Sequence, residues 1–138
     1  MNPRDMYITT FDFVRLKELL QVGIILKERD RDHLESLRHE LDRAHVVDPT
    51  AIPHNLATMN SRVRLQDMET GEENIYTLVF PSDADIEQNK ISILAPIGTA
   101  ILGCRAGDRV DWFVPAGKRK VRIQDILYQP EAAGHYDL

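Results

Sequence analysis

The spacing of apolar residues changes near the middle of the chain. From Thr10 to about Val47 they recur at helical spacing, whereas from Ser61 onward they alternate with polar residues as in strands. Pro49 and Pro53 separate the two regions, because proline disfavours the helical conformation in the residue before it. The pattern predicts a helical part followed by a β-rich part, which together make an α+β fold.

Two short helices are predicted in the first part. The first helix runs from Thr10 or Asp12, either of which could cap it, to Leu20. The second begins near Asp32, which resembles a capping box with Glu35, and is expected to run until Pro49 stops it. Its apolar seam comprises Leu34, Leu37, Leu41 and Ala44. The two helices predict a short antiparallel coiled-coil hairpin, about 16 Å long at 1.5 Å of rise per residue.

The second part predicts a small, mostly antiparallel sheet with one short helix. The expected strands include Val63 and Leu65, Ile75 to Phe80, Ile91 to Leu94, Val110 to Val114 and Val121 to Leu127. A turn at Glu69-Thr70-Gly71 joins the first two strands, and one at Pro115-Ala116-Gly117 joins the last two. The helix is expected from Pro96 to Leu102. The predicted division is a hairpin over 1–47, a linker over 48–60 and a sheet domain over 61–138.

Composition and charge exclude several classes of protein. The 138 residues fit one domain with a small appendage, and a net charge of −5 has the wrong sign for binding through nucleic-acid phosphates. The chain has no apolar run near the length of about 20 residues that spans a bilayer. Its start, MNPRDMYITTFDF, lacks the apolar core of a signal peptide, and the single Cys104 cannot form an internal disulfide. We therefore expect a cytoplasmic monomer without membrane contact or sequence-specific nucleic-acid binding.

Acidic residues gather where the predicted helical hairpin turns. Glu28, Asp30 and Asp32 could bind a divalent cation through carboxylate oxygens. Three bases alternate with them and compensate their charge, so a solvated helix start is the preferred interpretation and we expect no metal or cofactor. Glu28, Asp30 and the bulky Ile24 remain candidate contact residues at the tip, although Ile24 is better explained as closing the helical pair.

Other chemistry-bearing residues do not converge on a site. Three histidines spaced six residues apart would face different directions on a helix. Gly98 and Gly103 have the spacing of a phosphate-binding loop, but the Lys and Ser or Thr that such a loop requires are missing. These glycines are expected in the turns that flank a helix, and Cys104 is expected to be a buried structural thiol.

The charges are unevenly distributed along the second part. Between Gln66 and Lys90 there are seven acids and one base: Asp67, Glu69, Glu72, Glu73, Asp83, Asp85 and Glu87 against Lys90. Four bases gather near the last predicted turn: Lys118, Arg119, Lys120 and Arg122. An acidic loop at one place and a basic turn at another suit docking on a charged protein partner. Ordinary solvated loops are the alternative.

Several segments resemble a known family. Ser82 to Gly103, SDADIEQNKISILAPIGTAILG, resembles the C-terminal domain of the bacterial Gre transcript-cleavage factors. TMNSRV at Thr58 to Val63, APIGTAILG at Ala95 to Gly103 and YQPEAAG at Tyr128 to Gly134 resemble the Rnk family, regulators of nucleoside diphosphate kinase that are related to Gre factors. The resemblance covers about residues 50–138.

This resemblance implies an FKBP-like C-terminal domain that docks at the rim of the RNA polymerase secondary channel, with the coiled coil pointing inward. In Gre factors, acids at the coiled-coil tip promote cleavage of backtracked RNA, and a loop before the third strand contacts basic residues of the polymerase. The matching loop positions here are Pro81, Ser82, Asp83, Ala84 and Asp85, with Asp83 and Asp85 the preferred acids. A Gre arm is roughly two to three times as long as the one predicted here.

The leading hypothesis is a non-enzymatic regulator that binds RNA polymerase near the secondary channel and competes with Gre-type factors without stimulating RNA cleavage. The alternative is a Gre-like cleavage and elongation factor that uses Glu28 or Asp30 to help hold a metal ion. A prolyl isomerase would follow from the fold alone, and an aromatic content of 7% argues against its aromatic-lined pocket.

Overall fold

A computed structural model describes residues 7–23, 37–39, 41–114 and 117–135. The strands are β1 (Tyr7–Thr9), β2 (His45–Val47), β3 (Arg62–Asp67), β4 (Glu73–Val79), β5 (Lys90–Ser92), β6 (Arg109–Val114) and β7 (Gly117–Tyr128). The α-helices are α1 (Thr10–Gly23), α2 (Pro96–Ile101) and α3 (Pro130–Ala133), and residues 37–39 and 41–43 are also helical. Short 3-10 helices are formed by Pro49–Ala51, Pro81–Asp83 and Ile86–Gln88. The fold is α+β, as the sequence predicts.

A five-stranded sheet forms the larger part of the molecule, with the strand order β5-β4-β3-β7-β6. Both predicted hairpins are present, because β3 pairs antiparallel with β4 and β6 pairs antiparallel with β7. Strand β7 is 12 residues long and also pairs antiparallel with β3. Only the β4–β5 pairing within this sheet is parallel. The sheet is therefore mostly antiparallel, as expected.

The prediction that the second helix continues to Pro49 is wrong. Residues 41–43 are helical, but His45–Val47 forms β2, which pairs in parallel with β1. The Tyr7 ring also stacks on the imidazole of His45, with 4.9 Å between ring centroids. Two adjacent valines favour an extended backbone at this point. The pairing joins segments far apart in the chain, which periodicity within a single helix cannot reveal.

Helix α1 lies where the sequence predicts it, but its cap differs. The hydroxyl of Thr9 accepts a hydrogen bond from the backbone N–H of Asp12 at 3.1 Å, so Thr9 is the capping residue rather than Thr10 or Asp12. Leu16 and Leu20 are fully buried on one side of the helix. The 14 residues of α1 give a rise of about 21 Å, longer than the predicted arm.

The second helical segment packs against α1 through part of its predicted seam. Leu37 and Leu41 are buried in the same core as Leu16. On the surface, the ammonium of Lys17 bonds the carboxylate of Asp42 at 2.6 Å, which lowers the pKa of Asp42. Other predictions for this region lie outside the described residues: the Asp32–Glu35 capping box, Leu34, and the tip residues Ile24, Glu28 and Asp30.

One hydrophobic core joins the helical part to the sheet. Its members come from α1, the second helical segment, the strands and α2, and include Ile8, Leu16, Leu41, Val63, Leu78, Ile93, Ile101 and Ile123. The segment 48–60 contributes as well, since Ala57 and Met59 are buried. The backbone of Ala57 bonds that of Cys104 at 2.8 Å and that of Gly103 at 2.9 Å. The segment expected as a linker is thus a packed connection. Within the described ranges no helix is both long and apolar enough to cross a membrane.

Helix α2 lies very close to the end of β5. A methyl group added to Gly98 would stand 2.1 Å from the carbonyl oxygen of Ser92, so only glycine fits there. The hydroxyl of Thr99 also donates to the carbonyl of Ile93 at 2.7 Å. Gly98 therefore lies inside the helix for close packing, and not in a flanking turn as the sequence suggested, whereas Gly103 does follow the helix end with a φ of 82°.

We expect Gly98→Ala to destabilise the protein by about 1–3 kcal/mol, because the new methyl meets backbone atoms that cannot rotate away. Denaturant unfolding followed by circular dichroism measures this loss. Ala132→Gly, at an exposed helical position in α3, is the control, and it should cost only about 0.5–1 kcal/mol through backbone entropy. A Gly98→Ala protein that unfolds at the wild-type midpoint would contradict the close packing of α2 on β5.

Candidate functional site

The acidic loop, Ser82 to Glu87, follows directly after β4. Its first turn is the 3-10 helix Pro81–Asp83, in which the backbone N–H of Asp83 donates to the carbonyl of Phe80 at 2.9 Å. Proline suits the first position of this turn because its φ is already fixed. The turn leaves the side chains of Ser82 and Asp83 exposed. Two of the predicted contact residues are therefore presented to solvent on a defined backbone.

The two preferred acids have different environments. Asp83 is exposed, and its carboxylate makes no hydrogen bond within the described part of the chain. Asp85 is half-buried, and its Oδ1 accepts a hydrogen bond from the backbone N–H of Glu87 at 3.1 Å. Its backbone also exchanges two hydrogen bonds with Lys90, at 3.0 and 2.9 Å. Asp85 thus caps the 3-10 helix Ile86–Gln88 and shapes the loop, while Asp83 contributes charge alone.

The base of the acidic loop contacts α1. The guanidinium of Arg15 lies 3.8 Å from the centroid of the Phe80 ring and 4.9 Å from that of Phe11. A cation over an aromatic ring is attracted to its electron-rich face. Neither Arg15 nor Phe80 was a predicted site residue, since the contact joins the two parts of the chain. Further along the loop Ile86 is 74% exposed, which adds an apolar side chain to an otherwise acidic loop.

The predicted separation of acids from bases holds only for the acidic loop. Asp67 forms a salt bridge with Arg119 at 2.5 Å, and this hydrogen bond lowers the pKa of Asp67. Glu69 and Glu72 also interact favourably with the same guanidinium. Because β3 pairs with β7, the turn after β3 meets the basic first residues of β7. Asp67, which precedes β4, is thus paired with a base, whereas the acidic loop lies at the other end of that strand.

A shallow depression of about 270 Å³ lies beside this salt bridge. It is lined by Leu65, Asp67, Glu72, Asn74, Tyr76, Arg119 and Val121. Burial, and then the charge of Glu72, raises the pKa of Tyr76. Arg119, in the wall of this depression, is already engaged with Asp67.

The remaining candidates are consistent with structural roles. Cys104 is buried, as predicted, and its thiol donates to the carbonyl of Ala100 at 3.0 Å. Among the described residues, no group of three or more His, Cys, Asp or Glu side chains is placed to hold a metal ion. The tip acids Glu28 and Asp30 lie outside those residues.

Comparison with known proteins agrees with this architecture. Residues 52–128 match the family model "Transcription elongation factor, GreA/GreB, C-term", and residues 4–47 match "Rnk N-terminus". The "Regulator of nucleoside diphosphate kinase" of Escherichia coli strain K12 is 41% identical over 103 residues, which cover 74% of this chain and 76% of that protein. The "Transcription elongation factor GreA" of Thermodesulfovibrio yellowstonii is 35% identical over 96 residues, which cover 70% of this chain and 61% of GreA.

A solved structure shows the same fold over most of the chain. The "Prokaryotic transcription elongation factor GreA/GreB from Nitrosomonas europaea" is 43% identical in sequence and superposes with a TM-score of 0.75. The superposition covers 90% of this chain and 98% of the Nitrosomonas europaea chain. The resemblance stated from the sequence is confirmed. The chain belongs to the Rnk family, with a C-terminal part of the GreA/GreB type.

Proposed function

We propose that this chain is a non-enzymatic transcription regulator that binds RNA polymerase near the secondary channel and competes there with Gre-type factors. Its membership of the Rnk family and its GreA/GreB-type C-terminal part support a role in transcription. The single structural observation in favour of docking is the acidic loop, where Asp83 is exposed on a hydrogen-bonded turn. An exposed carboxylate on an ordered backbone turn attracts a basic surface without the entropy cost of ordering the loop on binding.

We also propose the division into a docking domain and a hairpin that the resemblance implies. Residues 61–138 form the FKBP-like docking domain, and residues 1–47 contribute a helical hairpin, flanked by β1 and β2, that is attached through 48–60. The separate family matches to 4–47 and 52–128 support this division. The hairpin is proposed to be too short for cleavage, because the arm that the sequence predicts is about a half to a third as long as that of a Gre factor.

Asp83→Lys should weaken binding to core RNA polymerase about tenfold or more, because a like charge would then face the basic surface of the partner. Equilibrium binding of the purified proteins at several salt concentrations measures the effect, and the wild type should lose affinity steeply as salt rises. The matched control is Glu73→Lys, an identical charge change at an exposed position at the opposite end of β4. Equal affinities of wild type and Asp83→Lys would remove the acidic loop from the proposed interface.

Two substitutions of Asp85 separate the effect of its charge on binding from the effect of its hydrogen bond on the shape of the loop. Asp85→Asn keeps a carbonyl oxygen that can accept from Glu87, whereas Asp85→Ala loses both that acceptor and the charge. We expect Asp85→Ala to bind RNA polymerase more weakly than Asp85→Asn, by up to about 1 kcal/mol, the cost of a lost cap. If the two variants bind equally, the cap makes no contribution to docking.

Competition is tested with a Gre factor itself. Excess wild-type chain should displace a labelled Gre factor from core RNA polymerase, and Asp83→Lys should displace it less well. In backtracked complexes with Mg²⁺, the chain should lower Gre-stimulated RNA cleavage and give none of its own. Cleavage by the chain alone would instead support the alternative of a Gre-like factor with a functional hairpin tip.

A further inference from the structure

Two apolar side chains are exposed near the start of α1. Phe11 is 50% exposed and Val14 is 47% exposed. They are three residues apart, so they lie next to each other on one face of the helix. The opposite face carries Leu16 and Leu20, which are buried in the core. Single exposed apolar residues are common on protein surfaces, so the meaning of this pair depends on its surroundings.

The pair adjoins the base of the acidic loop. The guanidinium of Arg15 lies between two rings, 4.9 Å from the centroid of Phe11 and 3.8 Å from that of Phe80. Phe80 directly precedes the first turn of the loop, and its carbonyl accepts the hydrogen bond from the N–H of Asp83. Arg15 and Phe80 therefore connect the exposed Phe11 ring with the turn that presents Asp83.

The same contact holds the Phe11 ring in place before any partner binds. Phe80 is buried in the core, and the half-buried Arg15 lies against its ring. The guanidinium also attracts the electron-rich face of Phe11. A side chain that is already held loses little conformational entropy when a partner covers it. Aromatic residues of this kind contribute much of the binding free energy at protein interfaces.

Charge alone gives the acidic loop little affinity for a partner. Exposed ion pairs are weakened by water and by salt, so carboxylates guide association more than they hold a complex together. A stable complex also needs apolar surface that becomes buried on binding. The exposed face of Phe11 and Val14 supplies such surface next to the loop.

We propose that Phe11 and Val14 extend the acidic loop into one docking surface for RNA polymerase, in which the loop supplies charge and α1 supplies apolar area. This inference rests on the proposed function. Arg15 is a positioning residue of this surface, because it holds the Phe11 ring beside the loop. Ile86, which is 74% exposed, adds an apolar side chain within the loop itself. The partner surface that fits carries apolar side chains beside basic ones.

Phe11→Ala should weaken equilibrium binding to core RNA polymerase about fivefold or more. The factor should stay constant as salt rises, because salt does not screen apolar contacts, whereas the effect of Asp83→Lys should shrink. Met68→Ala is the matched control and should bind as the wild type does. Met68 is 41% exposed and lies in the turn after β3, at the opposite end of β4 from the acidic loop.

Photocrosslinking tests the contact without relying on affinity. The photoreactive residue p-benzoylphenylalanine, placed at position 14 of the full chain, should crosslink to core RNA polymerase. The same residue at position 68 should not. Circular dichroism and the Tm of each variant show that the fold is retained, as expected for exposed positions.

The outcomes separate this inference from the proposed function. If Asp83→Lys weakens binding while Phe11→Ala binds as tightly as the wild type, the apolar extension is wrong and the proposed function stands. A Phe11→Ala effect that fades with salt also overturns the extension, because Phe11 would then act only by holding the acidic loop. The absence of a crosslink from position 14 has the same meaning. A wild-type chain that does not bind core RNA polymerase contradicts both proposals.

Discussion

The pairing of β7 with two strands is the constraint on which the arrangement of the molecule depends. One face of β7 contributes Val121 and Ile123 to the core, while its edges bond β3 and β6 along most of their lengths. The turn after β3 is thereby brought beside the basic start of β7, and α3 is placed where the last strand ends. Two register shifts in the β3–β7 pairing add local twist to the sheet. The acidic loop then falls at the far end of β4, away from the basic start of β7.

Sequence patterns predicted the secondary structure correctly wherever the pattern lay within one continuous segment. Alternation of apolar residues and turn-forming trios located both hairpins of the sheet, and helical spacing located α1 and the buried Leu37 and Leu41. The β1–β2 pair was missed, because three-residue strands carry too short a pattern and their partner is remote. Packing of the 48–60 segment was missed for a similar reason. Its prolines indicate the end of a helix, but they say nothing of what covers Ala57 or Met59.

The sequence identified the charged residues of the candidate site, but it did not show how they are arranged in space. Counting charges identifies the acids between Gln66 and Lys90, yet only the register of β3 and β7 shows that Asp67 belongs with Arg119. In the same way, the sequence does not distinguish Asp83 from Asp85, whereas the structure shows that the Asp85 carboxylate accepts a hydrogen bond within the loop. The burial of Asp12 and Glu131 left no signal at all, since each is an ordinary acid in its own segment.

The contact of Arg15 with both Phe11 and Phe80 has a mechanical consequence. One planar group touches a ring at the start of α1 and a ring at the root of the acidic loop, so a displacement of either is transmitted to the other through a single side chain. Flexible connections would let the helix and the loop move separately. Attraction of this kind, about 0.5–2 kcal/mol for each ring, favours one position of the helix relative to the loop.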